Sequence, residues 1–344
     1  MPVVANKAKE RQFSDLPVKT QQRIVDILDP ISKCRLRRVS KAFSVLSNNS
    51  KIHFTTFTIE VARTKVEIIA GTCDIEYSDP FLIEDVHKFR TRKMRDQWLN
   101  SLPPSTAQPP IEPAPMAGLF MDAAATGVVN IFKSPNVSVD KLIIKCDGVR
   151  RSPLTLGTPR QVAMAFGQIG RQVAVRVIDF KFRMWNLKAS EIPTVLKAMQ
   201  PGTLKMIRLV GAGTVDDLYE QMVNTEQWKQ ANHLHVYYFT PDFLRPEQYA
   251  HFGTLQLIGG RLLLETFSDV IKNCLKNPKF CELKLIHTSA IAKENERDIT
   301  SYLRRFPTKK PDTEWHYIPI PDKKKEVLKV RYKSRCLEAH REKI

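Results

Sequence analysis

The chain has 344 residues, 42% hydrophobic and 26% charged, the balance of a globular protein with room for two or three domains and at least one sizeable core. Its 54 Lys and Arg against 36 Asp and Glu leave a net charge of +18, which permits contact with nucleic acid or another anionic surface but assigns neither until the charge is located. No stretch approaches the roughly 20 apolar residues of a membrane helix, MPVVANKAKERQ lacks the apolar core of a signal peptide, and the six cysteines are scattered as reduced thiols are, so the expected localisation is cytoplasmic and/or nuclear.

Residues 13–46 read FSDLPVKTQQRIVDILDPISKCRLRRVSKAFSVL. Ser14 and Asp15 are available as N-caps, and Pro17 sits where a first helical turn tolerates proline. Ile24, Val25, Ile27, Leu28 and Ile31 follow at helical spacing until Asp29-Pro30 breaks the helix. A second helix is predicted to carry Leu36, Val39, Phe43 and Leu46, with Arg35, Arg37, Arg38 and Lys41 between them. A unit of about 35 residues is too small for a self-sufficient core, so its apolar positions need a second surface, in this chain or on a partner.

Leu16-Pro17, Ile27-Leu28, Arg37-Arg38-Val39-Ser40-Lys41 and Phe43 stand in an order that resembles the F-box, a short helical module. The resemblance implies binding to a Skp-type adaptor and, through it, to a cullin. The adaptor-binding residues it points to are Leu16, Pro17, Ile24, Ile27, Leu28, Val39 and Phe43. Some of these must instead hold the helices together.

Beyond the helices the period changes to two. Phe57, Ile59 and Val61 alternate with Thr and Glu, and Lys65 to Ala70 and Thr72 to Tyr77 continue a small β-meander. This stretch is similar to the strands that follow the F-box in nematode F-box proteins. Residues 84–99 read as a helix with an apolar stripe (Val86, Phe89, Met94, Trp98, Leu99) and a basic side (Lys88, Arg90, Arg92, Lys93, Arg95), more simply a solvated surface than a phosphate-binding face. Six prolines in 101–117 predict an exposed linker.

From Leu119 onward helices and strands alternate. Strands are predicted at Lys141 to Cys146, Val177 to Phe182, Leu204 to Val210, His233 to Tyr238, Gly253 to Ile258 and Glu282 to His287. Helices are predicted at Arg160 to Ala174, Lys188 to Met199, Val215 to Gln230, Phe243 to Ala250 and Thr266 to Leu275, which argues for parallel crossover units. Strand starts roughly 20 to 36 residues apart fall near the range of strand–helix repeats, so the spacing leaves two architectures open: a leucine-rich-repeat-like curved sheet or an open, mostly parallel sheet.

Pro201-Gly202-Thr203-Leu204, then Glu226-Gln227-Trp228-Lys229-Gln230-Ala231, then His251-Phe252 and Cys281-Glu282-Leu283 form a second pattern. It resembles the FTH-type domain of nematode F-box proteins over roughly residues 136 to 290. Physically, Pro201-Gly202 stops a helix, and Trp228 among polar neighbours reads as an anchor of helix to sheet rather than a substrate contact.

No residue set announces catalysis, a cofactor or a metal. Gly211 and Gly213 fit two glycines of a dinucleotide fingerprint, but Asp216 occupies the third position, where a carboxylate would repel a pyrophosphate. Cys274, Cys281 and His287 lack the paired spacing of a zinc site. The C-terminal residues 322–344 hold nine Lys or Arg against four acids and read as a solvated basic tail, with Val327, Leu328, Val330 and Tyr332 packing as a cap.

The expected fold is therefore α+β: helical F-box at 10–50, meander and basic helix at 51–100, linker at 101–117, an α/β recognition domain at 118–321, and the tail at 322–344. The expected function is a non-enzymatic substrate receptor of a Skp–cullin–F-box ubiquitin ligase, without cofactor, metal or membrane partner, its basic balance permitting an acidic target. The alternatives are a nucleic-acid-binding protein and a non-degradative F-box scaffold.

Overall fold

The computed structural model describes residues 12–62, 65–71, 73–78, 119–146, 158–182, 191–211, 216–237, 246–259, 264–286, 293–308, 314–321 and 323–344. The basic helix expected at 84–99 and the proline-rich linker at 101–117 lie outside the described residues.

A 3-10 turn, Phe13–Asp15, leads into α1 (Val18–Ile27), α2 (Pro30–Leu36) and α3 (Lys41–Asn49). Pro17 stands at the N-cap of α1 rather than inside its first turn. Asp29 caps α2, its side chain accepting from the Ser32 amide at 2.9 Å. The helix expected to carry Leu36 through Leu46 is two helices. Ser40 adopts an extended backbone and its Oγ accepts from Phe43 N, so it starts α3 instead of continuing α2. The three-four-three spacing of the apolar residues fits either arrangement, and the capping hydroxyl decides between them.

Three strands follow, β1 (Ile52–Val61), β2 (Lys65–Ala70) and β3 (Cys73–Ser78). Then come α4 (Leu119–Phe132), β4 (Val137–Cys146), α5 (Thr158–Gln168), β5 (Ala174–Phe182), α6 (Glu191–Lys197), β6 (Met206–Val210), α7 (Asp216–Val223) and α8 (Glu226–Gln230). β7 (His233–Tyr237), α9 (Pro246–Tyr249), β8 (Thr254–Ile258), α10 (Leu264–Lys276), β9 (Glu282–Ile286) and α11 (Lys293–Leu303) continue the alternation. β10 (His316–Pro319), β11 (Glu326–Lys333) and β12 (Cys336–Lys343) close the chain.

All twelve strands join one sheet, in the order β10-β11-β12-β9-β8-β7-β6-β5-β4-β1-β2-β3. Its seven central strands, β1 and β4 through β9, are parallel, while both flanks are antiparallel. β4 to β9 lie side by side in chain order. Crossovers of one hand then put the connecting helices on one face, and α4, α5, α6 and α7 pack on one another in sequence. Because the order never reverses between β4 and β9, the turn after β6 that holds Gly211 is not at a switch-point crevice, where open α/β sheets take dinucleotides.

Apolar residues two apart in each short strand explain which face is covered. Ile207 and Leu209, Leu234 and Val236, Leu255 and Leu257, and Leu283 and Leu285 are buried in one core with helix residues such as Leu196 and Phe267. Residues between them face the other way and stay half-exposed. In β1, β4 and β5 this alternation slips once, at the same level. Thr55-Thr56, Asp140-Lys141 and Arg176-Val177 all lie on the open side before burial resumes at Phe57, Leu142 and Ile178. A slip in one strand alone would turn its apolar side chains out of the core. The three slip together, so the register holds.

Two expected divisions are corrected. The meander is no separate unit, because β1 pairs in parallel with β4 and brings β2 and β3 into the sheet. In the tail expected at 322–344, the described residues 323–344 are not a solvated tail either. They form β11 and β12, whose Leu328, Val330, Leu337 and Ala339 are fully buried, and β12 pairs antiparallel with β9. An apolar pattern of period two needs a neighbouring strand to satisfy its backbone and a core to cover it, and the edge of β9 provides both. Much of the tail's charge is spent internally: Arg331 pairs with Glu338, Lys323 with Glu326 at 3.3 Å, and Arg341 donates to the Asn277 carbonyl at 2.8 Å.

Candidate functional site

The N-terminal unit has a small interior and a large apolar exterior. Val25, Ile31 and Leu46 are its buried hydrophobic residues, and the Phe13 and Phe43 rings stack at 4.9 Å. Polar side chains do much of the tying. Gln22 Nε2 donates to the Leu46 carbonyl at 3.1 Å and to Ser50 Oγ at 2.8 Å, joining α1 to the end of α3. Ser47 Oγ donates to the Lys33 carbonyl at 2.6 Å. Lys33 is buried, with Nζ donating to the carbonyls of Asp26 at 2.9 Å and Lys51 at 3.3 Å.

Lys33→Met keeps the aliphatic stem but leaves both carbonyls without that donor, at a cost of roughly 1–3 kcal/mol. Chemical denaturation of the full chain measures it.

The Asp26 carboxylate accepts from Ser50 Oγ at 2.6 Å and from Gln22 Nε2 at 3.0 Å, and these bonds, Ser50 first, hold its pKa below the usual carboxylate value. Asp29 is held down likewise by its bonds from Ser32. A folded pKa below the unfolded value of 3.8 gives a contribution fully present above that pH and lost as the pH falls through the folded value. Hydrogen exchange in α3, corrected for its intrinsic pH dependence, should therefore show less protection at about pH 3 than at about pH 5, and Asp26→Asn should shrink the difference.

Against this interior, Ile27 is 82% exposed, Val18 71%, Val39 66% and Val45 56%. Among the described residues only Met164 and Ile344 join them as large exposed hydrophobics. Ile27 lies two residues on from Val25, about 200° around the helix, so burying one presents the other to solvent. Of the seven residues expected to bind a partner, Pro17, Ile27 and Val39 are exposed, and Leu16, Ile24, Leu28 and Phe43 are half-buried. Three of the set thus face solvent outright, while the other four present part of their surface and pack with the rest. Val18 and Val45 enlarge the apolar surface, and the sequence motif did not single them out.

The unit is fixed to the sheet. Ile31 enters the main core beside Ile52, Arg37 Nη1 donates to the Asn130 carbonyl at 3.1 Å, and Asn136 Nδ2 donates to the Asn48 carbonyl at 2.6 Å.

Two family models match the chain. Residues 13–55 match the F-box domain, and residues 175–305 match the FTH domain. Comparisons with the curated proteins and with the solved structures found no match. The F-box implies an adaptor role in a Skp–cullin–F-box ubiquitin ligase, through binding of a Skp-type adaptor, and F-box proteins are generally non-catalytic. The match covers α1 to α3 and runs into β1, so the F-box and the sheet share a strand. The FTH match begins inside β5 and ends past α11, covering the parallel half of the sheet away from the F-box. Within it Gly202 has φ +79°, the left-handed turn expected after Pro201, and Trp228 is buried with Nε1 donating to the Gln248 carbonyl at 2.8 Å. No helix among the described residues is long and apolar enough to cross a membrane.

Proposed function

We propose that the protein is the substrate-receptor subunit of a Skp–cullin–F-box ubiquitin ligase. Its F-box binds a Skp-type adaptor through Leu16, Pro17, Ile24, Ile27, Leu28, Val39 and Phe43, and the sheet domain holds a target protein near the charged ubiquitin. The observation that carries this reading is the concentration of exposed apolar side chains on the F-box, whose largest exposures belong to Ile27, Val18 and Val39.

The receptor contributes proximity rather than catalytic groups. The F-box is bonded to α4 and to the segment before β4, so a target docked on the sheet keeps one orientation to the adaptor. Co-purification of the full chain with a Skp-type adaptor tests the reading. Retention that is lost on combining Pro17→Ala with Ile27→Ala supports it; an intact chain that never retains the adaptor ends it. Reconstituted ubiquitylation of a bound target separates a degradative receptor from a scaffold.

A further inference from the structure

The open face of the sheet converges on one carboxylate. Asp179 lies in the middle of β5 between core residues Ile178 and Phe180, so its side chain leaves on the face opposite the helices. It is nevertheless fully buried, because longer side chains close over it. Arg208 stands directly across on β6, Lys181 is two residues along β5 on the same face, and Lys141 belongs to the outward-slipped pair of β4. Their nitrogens lie 3.8, 3.8 and 3.6 Å from Asp179 Oδ2. Those are ion-pair distances, and neither Asp179 oxygen has a hydrogen-bond partner among the described residues.

Three cations against one carboxylate leave an excess of two positive charges. Of the other acids on this face, Glu60 pairs with Lys145 at 2.8 Å, and Asp140 bonds the His53 ring at 3.2 Å. On the far side Arg208 lies over the Tyr237 ring at 4.9 Å. The cationic side chains are 35–39% exposed above the buried carboxylate, and Arg208 Nε is a buried donor with no partner.

We propose that Lys141, Lys181 and Arg208, gathered by Asp179, bind a phosphorylated serine or threonine of a target protein. This rests on reading the sheet domain as the target-binding part. A phosphomonoester carries about −1.5 to −2 charges near neutrality and three acceptor oxygens, which matches the excess charge and the unspent donors. A carboxylate carries half that charge and two oxygens. The guanidinium fork of Arg208 suits two phosphate oxygens at once. Asp179 holds the three cations together against their mutual repulsion without accepting their hydrogen bonds, so the site is assembled before its ligand arrives. His235, across from Arg208 on β7, brings no negative charge, and burial, then Arg208, pushes its pKa down.

The test uses the full chain in complex with its adaptor and three degenerate peptide pools, with phosphoserine, serine or glutamate fixed at the centre, read by fluorescence anisotropy. The phosphoserine pool should bind at least about tenfold more tightly than the other two. Lys181→Ala and Arg208→Ala should each weaken it about fivefold or more, with adaptor binding unchanged as the control for folding. Equal binding of the phosphoserine and glutamate pools, indifference to Lys181→Ala, or displacement by a single-stranded oligonucleotide at equal phosphate concentration would each overturn the proposal. Retention of the adaptor with no preference among the pools removes this site and leaves the receptor reading standing. Phosphopeptide binding by a chain that retains no adaptor does the reverse.

Discussion

Ile27→Lys should weaken adaptor binding by about 30-fold or more, roughly 2 kcal/mol, while leaving the stability of the chain itself within about 0.5 kcal/mol. The two effects separate because of where the residue sits. At 82% exposure Ile27 makes little use of its apolar surface within the chain, so a solvated ammonium there costs the fold almost nothing. Against a partner the same position becomes a buried charge without a counter-ion. Titration of the adaptor onto the purified variant, beside a melting curve, reads both quantities. Val25→Ala should behave in the opposite way, loosening the F-box itself, since Val25 is fully buried between the helices. A variant in which Ile27→Lys retained wild-type affinity would place the adaptor on another surface.

The second large effect concerns stability. Trp228→Ala should cost roughly 3–5 kcal/mol. The indole is 1% exposed, meets the Phe252 ring edge-on at 5.1 Å, and donates Nε1–H to the Gln248 carbonyl at 2.8 Å, while the Trp228 carbonyl bonds to His251 at 2.9 Å. Removing it opens a cavity between α8 and the segment before β8, and takes one donor from the Gln248 carbonyl. The melting temperature should fall by several degrees or more, with adaptor binding at low temperature unchanged, because β7, which follows α8, stands four strands from β1, where the F-box joins the sheet. A loss of target binding without loss of stability would instead make Trp228 a contact residue, which its burial argues against.

What could be read from the sequence was what is local. The F-box signature and the parallel strands rest on spacing within ten or so residues, and the strand expected at His233 to Tyr238 is seen over the described His233–Tyr237. The helix expected from Val215 to Gln230 is broken, because the Thr225 hydroxyl accepts from Trp228 N and starts a new helix. The helix Lys293–Leu303 escaped notice because its buried residues, Ile299 and Leu303, are too few to mark a period.

The Asp179 cluster was illegible for a different reason. VIDFKF reads as a strand whatever its aspartate does, and Lys141, Asp179, Lys181 and Arg208 meet only through the register of three strands. Which apolar residues of the F-box face outward was equally hidden, since helical spacing identifies an apolar stripe but cannot tell a stripe covered by its own chain from one awaiting another protein.

The strand order also sets a ruler. With neighbouring strands about 4.8 Å apart, β5 stands two spacings, about 10 Å, from the strand that emerges from the F-box, whereas β10 at the far edge stands nine spacings, about 43 Å, away. Under the receptor reading, a target docked on this continuously paired sheet is held at a distance set by the strand it meets. Which strand a target grips therefore decides how far its lysines lie from the ligase, and moving the grip by one strand shifts every candidate lysine by about 5 Å.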